Sequence, residues 1–213
     1  MLLGKGEVAT TPIQLANMAA AIANRGHYFT PHIIKSIENE TLPEQFTKPK
    51  ITTIDKQNFE PVIEGMLQVY KQGTAASLQV KDIDICGKTG TVENFVKIDS
   101  VRTQLTDHSI FLAFAPKDNP KIAIAVFVEN GYWGGSRFAG RIASLMIEKH
   151  IKKEITRKDL EEWLLKHSLE NEYAKPYSGE SFRINGQTSL QIVDDQEYNR
   201  LKTELNKINK TAN

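Results

Sequence analysis

The sequence lacks the features that mark several specialised classes of protein. It has one cysteine, Cys86, in 213 residues, so it can form neither an internal disulfide nor a multi-cysteine metal site. No apolar run approaches the roughly 18 residues that a membrane-spanning helix needs. The formal net charge is +1 and the Lys and Arg residues are scattered, which predicts no surface for nucleic acid.

Metal and cofactor chemistry is not indicated either. The 5 histidines show no HExxH or comparable ligand spacing, so we expect no metal site and no cofactor. Hydrophobic residues make up 40% of the chain and charged residues 25%, which is ordinary for a globular protein. The length allows one sizeable domain with an appendage.

Apolar periodicity predicts three helices in the first three quarters of the chain. The first has Thr11 as a cap, Pro12 at the first helical position and Gln14 where a capping box needs Glu or Gln. Gly26 is a suitable left-handed terminator for it. In the second helix Pro61 marks the first turn. The predicted ranges are 11–26, 55–72 and 134–151.

Runs of β-branched and aromatic residues predict the strands. The last two are joined by the short segment 116–120, which favours an antiparallel pair, and their apolar residues predict a sheet with both faces covered. The fold class is therefore α/β (α+β), an antiparallel sheet covered by helices. The predicted strands are 32–37 at an edge, 80–91, 108–115 and 121–129, with a surface loop at 39–49 and a polar excursion at 95–107.

The composition becomes polar and charged from residue 152 onward. We therefore divide the chain into a domain portion, residues 1–151, and a polar C-terminal extension, residues 152–213. Within the extension, a cap-like start at Thr156 predicts a helix. An Asn-Gly pair predicts a hairpin at 182–190, and apolar spacing predicts a final helix at 198–208.

The stretch DICGKTGTVEN, residues 84–94, contains Gly-Lys-Thr, which is also part of the nucleotide-binding P-loop. That signature requires a glycine five residues before Gly87, and the residue there is Asp82. The residues between them are strand-like, and an aspartate would repel phosphate. A P-loop is therefore excluded.

The alternative places Lys-Thr-Gly-Thr on a strand. Lys88 and Gly90 then point to one face, and Thr89 and Thr91 to the other. A lysine charge with two hydroxyls suits a carboxylate, and a backbone N–H at a strand edge can stabilise an oxyanion. Gly90 would allow a close approach. The pattern indicates acyl transfer on a substrate that ends in a carboxylate, unless it is an ordinary strand end.

Three other residues have simpler interpretations. Cys86 is expected to be a small core residue. His108 is expected to make a structural hydrogen bond, and Asn130 is expected to cap the loop that follows its strand.

Four ordered segments resemble the C-terminal part of the transpeptidase domain of class B penicillin-binding proteins, nearest to the elongation type, penicillin-binding protein 2. The resemblance covers residues 3–150. The Lys-Thr-Gly triplet alone is weakly specific, whereas the four segments together are strongly so. They are GKGEVATTPIQLANMAAAIANRG, EGMLQVYKQGTAA, ICGKTGTVEN and DHSIFLAFAPKDNPKIAIAVFVENGYWGGS.

The resemblance implies a serine DD-transpeptidase that cross-links peptidoglycan stem peptides and is acylated by β-lactams. It implies part of a penicillin-binding/β-lactamase-like transpeptidase fold. Lys88 would supply positive charge, and Thr89 and Thr91 would bind the carboxylate of the D-Ala end or the β-lactam. Gly90 would keep the strand clear of the nucleophile, and the Thr91 backbone N–H would be half of the oxyanion hole. The implied partners are a peptidoglycan glycosyltransferase and other cell-elongation proteins, and the implied location is periplasmic, on a parent anchored in the cytoplasmic membrane.

The sequence departs from this family at the nucleophile. No serine is followed by a lysine three positions on, and none by an asparagine two positions on. We therefore expect a C-terminal fragment whose nucleophile, general base and membrane anchor lie upstream, inactive by itself and marginally stable, oligomeric or rearranged when isolated. The alternative is a non-catalytic module that retains the sheet to bind a peptide or a partner.

Overall fold

The computed structural model describes residues 9–98, 101–131, 138–167 and 169, and at 96–98 and 101 it describes the backbone only. Among these residues the order is a helix, a short strand, a short helix, a second short strand, a helix, three longer strands and two helices. The helices are α1 Pro12–Ala23, α2 Glu44–Thr47, α3 Glu60–Lys71, α4 Ala139–Lys152 and α5 Lys158–Lys166. The strands are β1 His27–Tyr28, β2 Lys50–Ile51, β3 Cys86–Ile98, β4 Val101–Ala115 and β5 Ile122–Val128. Short 3₁₀ turns lie at Lys56–Phe59 and Ala76–Leu78.

The central sheet has the order β3-β4-β5 and is antiparallel throughout. Cys86 lies opposite Phe114, and Ser109 lies opposite Val128. The predicted antiparallel connection through residues 116–120 is therefore confirmed. Successive residues on a strand point to opposite faces, so the continuous apolar runs of β4 and β5 place apolar side chains on both faces of the sheet.

Two hydrophobic clusters cover the two faces of the sheet. Leu112 and Phe114 of β4 pack with α1 and α3, and Cys86 belongs to the same cluster. Phe111 and Ala113 point the other way and pack with α4. The expected helix-covered sheet and the expected core position of Cys86 are confirmed.

The ends of α1 follow the local signals. The backbone N–H of Thr11 donates to Gln14 Oε1 over 2.8 Å, as a capping box requires. At the other end Arg25 and Gly26 both have positive φ, 55° and 104°. The N–H of Gly26 donates to the carbonyl of Ala21 over 2.8 Å, which satisfies one of the last helical carbonyls.

The predicted edge strand at residues 32–37 is wrong. Ile33 is fully exposed, and Ile37 forms only an isolated bridge to Glu40. The strand pair of this region is β1 with β2 instead. A β-branched run favours a strand only where a neighbouring strand and a buried face receive it, and among the described residues this run has neither.

The predicted polar excursion at residues 95–107 is also wrong, because β3 and β4 continue through it as one long hairpin. The segment mixes apolar residues, such as Phe95 and Leu105, with polar ones and has no apolar run like that of residues 108–115, which hid the pairing. At its start β3 is shorter than predicted, since Val80 and Ile83 close a tight turn in which Asp82 has a φ of 65°. The predicted loop at 39–49 contains α2.

The first element beyond residue 152 packs on the domain portion. Helix α5 follows Thr156, as predicted, and its Trp163 ring lies 5.5 Å from the ring of Phe138 before α4. The division at residue 152 stays a prediction. The predicted opening of the third helix at 134–136, the hairpin at 182–190 and the final helix at 198–208 lie outside the described residues.

A buried carboxylate joins α4 to the segment before α5. Glu148 is fully buried, and it accepts hydrogen bonds from the Thr156 hydroxyl and from Arg157 Nε at 3.0 Å. Arg157 Nη1 and Ser144 Oγ both donate to the carbonyl of Leu78, at 3.2 and 2.9 Å. In the part of the chain that the structure describes, no helix is long and apolar enough to cross a membrane.

Candidate functional site

The Lys-Thr-Gly-Thr stretch lies in the first half of β3, which is an end strand of the described sheet. Lys88 and Gly90 lie opposite Leu112 and Ile110 of β4, so they share the face covered by α1 and α3. Thr89 and Thr91 lie opposite Phe111 and Ser109 and point to the other face. The predicted alternation is confirmed, and all four residues form one continuous segment.

Lys88 is half-buried, and its ammonium contacts the backbone of the next residue. Its Nζ donates to the carbonyl oxygen of Thr89 over 2.8 Å. An ammonium has three N–H donors, so two remain for other acceptors. Within the described residues no carboxylate lies within ion-pair distance of Lys88. The side chain therefore offers positive charge to an anion that approaches β3.

Thr89 extends the polar surface on the opposite face. Its Oγ1 lies 3.1 Å from the Oγ1 of Thr74, in the segment after α3, and either hydroxyl can donate. The sequence analysis did not single out Thr74. The only signal was its place in the segment EGMLQVYKQGTAA, which the resemblance to the transpeptidases included.

The two glycines of this segment differ in what surrounds them. A Cβ on Gly87 would lie 2.7 Å from the Phe111 ring and 3.0 Å from the Tyr70 ring, so packing requires glycine there. A Cβ on Gly90 would meet Ile110 at an ordinary 3.4 Å. Packing against the described residues therefore does not require glycine at position 90, and the predicted close approach of a ligand there stays a prediction.

The same geometry excludes a nucleotide-binding P-loop at Gly-Lys-Thr. Gly87, Lys88 and Thr89 lie within the extended strand, and no helix follows them. A P-loop needs a glycine-rich turn that opens a helix, because the backbone N–H groups of that turn cradle the phosphates. Asp82 lies in the tight turn where the loop glycine would be required.

A polar cluster, which the sequence analysis did not assemble, lies just beyond the Lys-Thr-Gly stretch. Asn94 Nδ2 donates to the Asn130 Oδ1 over 2.6 Å and to the carbonyl of Thr106 over 3.3 Å. The N–H of Asn130 donates to His108 Nδ1 over 3.1 Å, which confirms the expected structural hydrogen bond of His108. Asn130 has a φ of 48°, as expected for a loop residue after a strand.

The titratable groups of this cluster respond to burial. Burial lowers the pKa of His108, while the carboxylates of Glu129 and Asp107 oppose that change. Burial likewise raises the pKa of Asp107, against its hydrogen bond from Gln104. Elsewhere, burial raises the pKa of Cys86 to about 12, so its thiol is not a nucleophile at neutral pH. No cluster of potential metal ligands occurs among the described residues.

Comparison with known protein families agrees with this geometry. Residues 1–152 match the penicillin binding protein transpeptidase domain. The chain belongs to this family. Its curated relatives include the peptidoglycan D,D-transpeptidase MrdA of Haemophilus influenzae, 27% identical over 197 residues, which cover 86% of this chain and 29% of that protein. MrdA of Acinetobacter baumannii is 33% identical over 149 residues, covering 63% of this chain and 21% of that protein.

Solved transpeptidase structures are similar in fold. Penicillin-binding protein A from M. tuberculosis, in an imipenem acyl-enzyme complex, matches with a TM-score of 0.58 at 28% identity. The match covers 70% of this chain and 32% of that chain. PBP2 of Pseudomonas aeruginosa, in complex with WCK 5153, matches with a TM-score of 0.50 at 32% identity, covering 81% and 34%. The family and the fold expected from the resemblance, including the penicillin-binding protein 2 type, are confirmed.

These matches cover most of this chain but only a small part of each curated relative. The match to the Haemophilus protein takes in most of this chain but only 29% of the relative, and the match to the Acinetobacter protein takes in 21%. The chain therefore spans less than a third of these relatives, and the 213 residues contain neither a Ser-x-x-Lys nor a Ser-x-Asn motif.

Proposed function

We propose that this chain supplies the Lys-Thr-Gly wall of a peptidoglycan D,D-transpeptidase of the penicillin-binding protein 2 type. The observation that carries the proposal is the placement of Lys88, free of any carboxylate partner among the described residues, on an end strand of the family's antiparallel sheet. The wall would bind the carboxylate of a D-Ala-ended stem peptide or of a β-lactam.

Each residue of the wall has a separate role in the proposal. Lys88 supplies the positive charge. Thr89 and Thr91 point to the opposite face of β3, so their hydroxyls donate to the same carboxylate only at the strand edge, where twist of the strand brings the two faces together. Charge-assisted hydrogen bonds of this kind are stronger than neutral ones, which favours a carboxylate over an uncharged group. Gly90 lets the ligand approach the strand without a side chain in the way, and its only near neighbour among the described residues is Ile110, at an ordinary contact distance.

The backbone geometry supports Thr91 as an oxyanion donor. In an antiparallel strand the backbone N–H and C=O of one residue point to the same edge, and residues two apart share that edge. The Thr89 carbonyl receives the Lys88 ammonium. The N–H of Thr91 therefore points to the edge where that ammonium lies, and it can donate to an oxyanion there.

The acyl-transfer step itself requires a nucleophile. In the proposed reaction a serine hydroxyl attacks the ligand carbonyl, a base takes the hydroxyl proton, and the D-Ala amine or the β-lactam nitrogen leaves. These 213 residues carry no Ser-x-x-Lys motif for that role. Loss of the nucleophile and base typically removes about a million-fold of the rate in serine hydrolases, so binding without turnover is expected of this chain alone.

The cellular setting of the reaction is part of the same proposal. Relatives named for peptidoglycan transpeptidation suggest that the whole protein works outside the cytoplasmic membrane, anchored in it. A peptidoglycan glycosyltransferase and other cell-elongation proteins would be its partners. These assignments follow the family resemblance and are independent of the geometry of the wall.

Binding to the wall can be tested by NMR. Addition of N-acetyl-D-Ala-D-Ala to the ¹⁵N-labelled chain should shift the amide resonances of residues 88–91. Lys88→Ala should abolish the effect, and Lys88→Arg should retain much of it because the charge remains. Perturbation elsewhere, or binding that survives Lys88→Ala, would favour the alternative of a module that binds another partner. Covalent labelling by a fluorescent penicillin, stable to boiling in detergent, would contradict the expected lack of turnover.

A further inference from the structure

The strand that carries the Lys-Thr-Gly wall changes register two residues beyond Thr91. Thr91 lies opposite Ser109 and Val92 opposite His108, but Asn94 lies opposite Leu105. Glu93 therefore faces two residues of β4. Such a bulge increases the local twist of a strand and changes the direction in which neighbouring groups point. Its conformation consequently influences the direction of the Thr91 backbone N–H.

Three side chains hold this bulge, and each comes from a different part of the sheet. Asn94 on β3 donates through Nδ2 to the Thr106 carbonyl on β4, at 3.3 Å, and to Asn130 Oδ1, at 2.6 Å. Asn130, which follows β5, donates its backbone N–H to His108 Nδ1 on β4, at 3.1 Å. All three strands are thereby joined at one level of the sheet.

Asn130 is followed by a residue that packs closely against Ser109, the residue opposite Thr91. Asn130 itself is buried and has a φ of 48°. The next residue, Gly131, approaches so closely that a Cβ there would lie 2.7 Å from Ser109 Cβ. Ser109 is buried and is paired with Thr91. Asn130 is therefore connected to the wall through Ser109 as well as through Asn94.

The hydrogen bond to His108 specifies the protonation of the imidazole. A backbone N–H can only donate, so Nδ1 must accept and cannot carry a proton. Burial favours this neutral form by lowering the pKa of His108. The charged groups that face the imidazole are Glu129 from the end of β5 and Asp107 from β4, with Glu93 of β3 beside Asp107. Protonation of Nδ1 would place its N–H against the backbone N–H of Asn130, and the hydrogen bond between the two residues would be lost.

We propose that Asn94, Asn130 and His108 form a clamp that positions the Thr91 backbone N–H relative to the Lys88 ammonium. They are positioning residues, because none of them lies in the wall itself. The clamp rests on the proposed function, because the placement of the Thr91 N–H beside the Lys88 ammonium matters only if the two groups bind one ligand.

The first arm of the test removes the donor that joins the strands. The ¹⁵N-labelled chain is titrated with N-acetyl-D-Ala-D-Ala. Asn94→Ala should move the Thr91 amide resonance and raise the dissociation constant by up to about fivefold, the limit reached if the whole contribution of one well-made internal hydrogen bond is lost from ligand binding. Asn94→Gln, which keeps the amide, should recover part of the affinity. Thr103→Val, farther along the same hairpin, should behave as the unaltered chain.

The second arm uses pH, which a purely structural role would not couple to the wall. The pKa of His108 lies below 6.5, the ordinary value for histidine. As pH falls from 6.5 through this lowered pKa, the chemical shift of the Thr91 amide should change together with that of the His108 ring proton. Peptide affinity should fall over the same interval. His108→Asn keeps an acceptor that does not titrate, so it should retain binding at neutral pH and lose the pH-dependent step.

Failure of the clamp and failure of the proposed function give different results. If the peptide binds but Asn94→Ala leaves both affinity and the Thr91 resonance unchanged, the clamp is refuted and the function stands. If no peptide binds, the proposed function fails, and the clamp is then decided by the pH coupling between His108 and Thr91 in the unaltered chain. Absence of that coupling overturns the clamp, and this measurement requires no variant to fold.

Discussion

Glycine serves two different purposes within four residues of β3. At Gly87 the rings of Phe111 and Tyr70 occupy the space that a Cβ would need, at 2.7 and 3.0 Å. At Gly90 the described surroundings leave an ordinary 3.4 Å contact to Ile110. The first glycine is thus required by the core, whereas a methyl group at the second would make only an ordinary contact with Ile110.

This difference predicts opposite outcomes for two alanine substitutions. Gly87→Ala should lower the free energy of unfolding by about 1–3 kcal/mol, because the rings must move to admit a methyl group. Gly90→Ala should change it by less than about 1 kcal/mol but weaken binding of N-acetyl-D-Ala-D-Ala. Urea unfolding followed by circular dichroism measures the first quantity, and NMR titration the second.

A third glycine provides the control for these substitutions. Gly65 is an exposed residue of α3 with no atom within 4 Å of an added Cβ. Gly65→Ala should raise the free energy of unfolding by about 0.5–1 kcal/mol, because alanine loses less backbone entropy in a helix. Equal destabilisation by Gly87→Ala and Gly90→Ala would contradict the distinction drawn from the two contact distances.

Residues that are adjacent in sequence were predictable, and residues that meet across the sheet were not. Lys88, Thr89, Gly90 and Thr91 form one short motif, so their chemistry could be proposed from residue type and spacing, and the structure shows them as one continuous strand segment. The hydrogen bond between Asn94 and Asn130 joins residues 36 positions apart. Which asparagines meet depends on the register of three strands and on one bulge, and no local pattern encodes either.

At the scale of elements, an ion pair between the buried Glu148 and the half-buried Arg157 joins α4 to the segment before α5. Burial raises the pKa of the Glu148 carboxyl. The hydrogen bonds from Thr156 and Arg157 outweigh that effect and lower the pKa below its usual 4.5. Arg157 also donates to the Leu78 carbonyl, which ties the 3₁₀ turn before β3 to the same unit. Arg157 lies beyond the residues that match the family profile, yet its guanidinium contacts the body of the domain.

Removal of the arginine should therefore destabilise the whole fold. Arg157→Leu leaves a buried carboxylate without its cation, which should lower the free energy of unfolding by about 3 kcal/mol. Lys158→Ala breaks only the exposed pair with Glu161 and should cost less than about 0.5 kcal/mol. Thermal unfolding measures both. Equal melting temperatures for the two variants would show that the buried pair contributes little.

The same carboxylate makes stability depend on acid. A group whose pKa is lowered by folding stabilises the fold fully above its unfolded value and loses that contribution as pH falls through its folded value. For Glu148 this loss begins below 4.5. Glu148→Gln should therefore flatten the fall in melting temperature below that pH, although it should be less stable at neutral pH. If the fall in melting temperature below pH 4.5 is the same in the variant, protonation of other carboxyl groups causes the loss of stability in acid.

Elements with a strong apolar pattern could be predicted, and those that depend on a partner could not. Helix α1, residues 108–115 of β4, and β5 follow from caps and apolar runs that act locally. The hairpin extension through residues 95–107 mixes apolar and polar residues without a continuous apolar run, so its pairing becomes visible only when the two strands are side by side. The run 32–37 has the composition of a strand, but pairing decides whether such a run becomes one.

At the scale of the whole molecule, large apolar side chains remain exposed on the N-terminal half. Ile33 and Ile51 are exposed at 101% and 80%, and Ile13 and Ile54 at 57% and 54%. Strand β3 is in addition an end strand of the described sheet. Exposed apolar residues and an end strand with unpaired backbone groups are both features that promote association between chains.

We therefore expect the isolated 213-residue chain to associate as its concentration rises. Size-exclusion chromatography with light scattering should show a mass that increases with concentration above that of a 24.0 kDa monomer. If apolar exposure is the cause, the triple variant Ile13→Lys, Ile33→Lys and Ile51→Lys should shift the equilibrium toward monomer, because charge at these positions opposes contact. A triple substitution of exposed lysines by glutamine at Lys35, Lys48 and Lys56 is the matched control and should not favour the monomer. A compact monomer at all concentrations, with a cooperative melt, would contradict the expectation and show that this half of the fold is stable with its apolar surface in water.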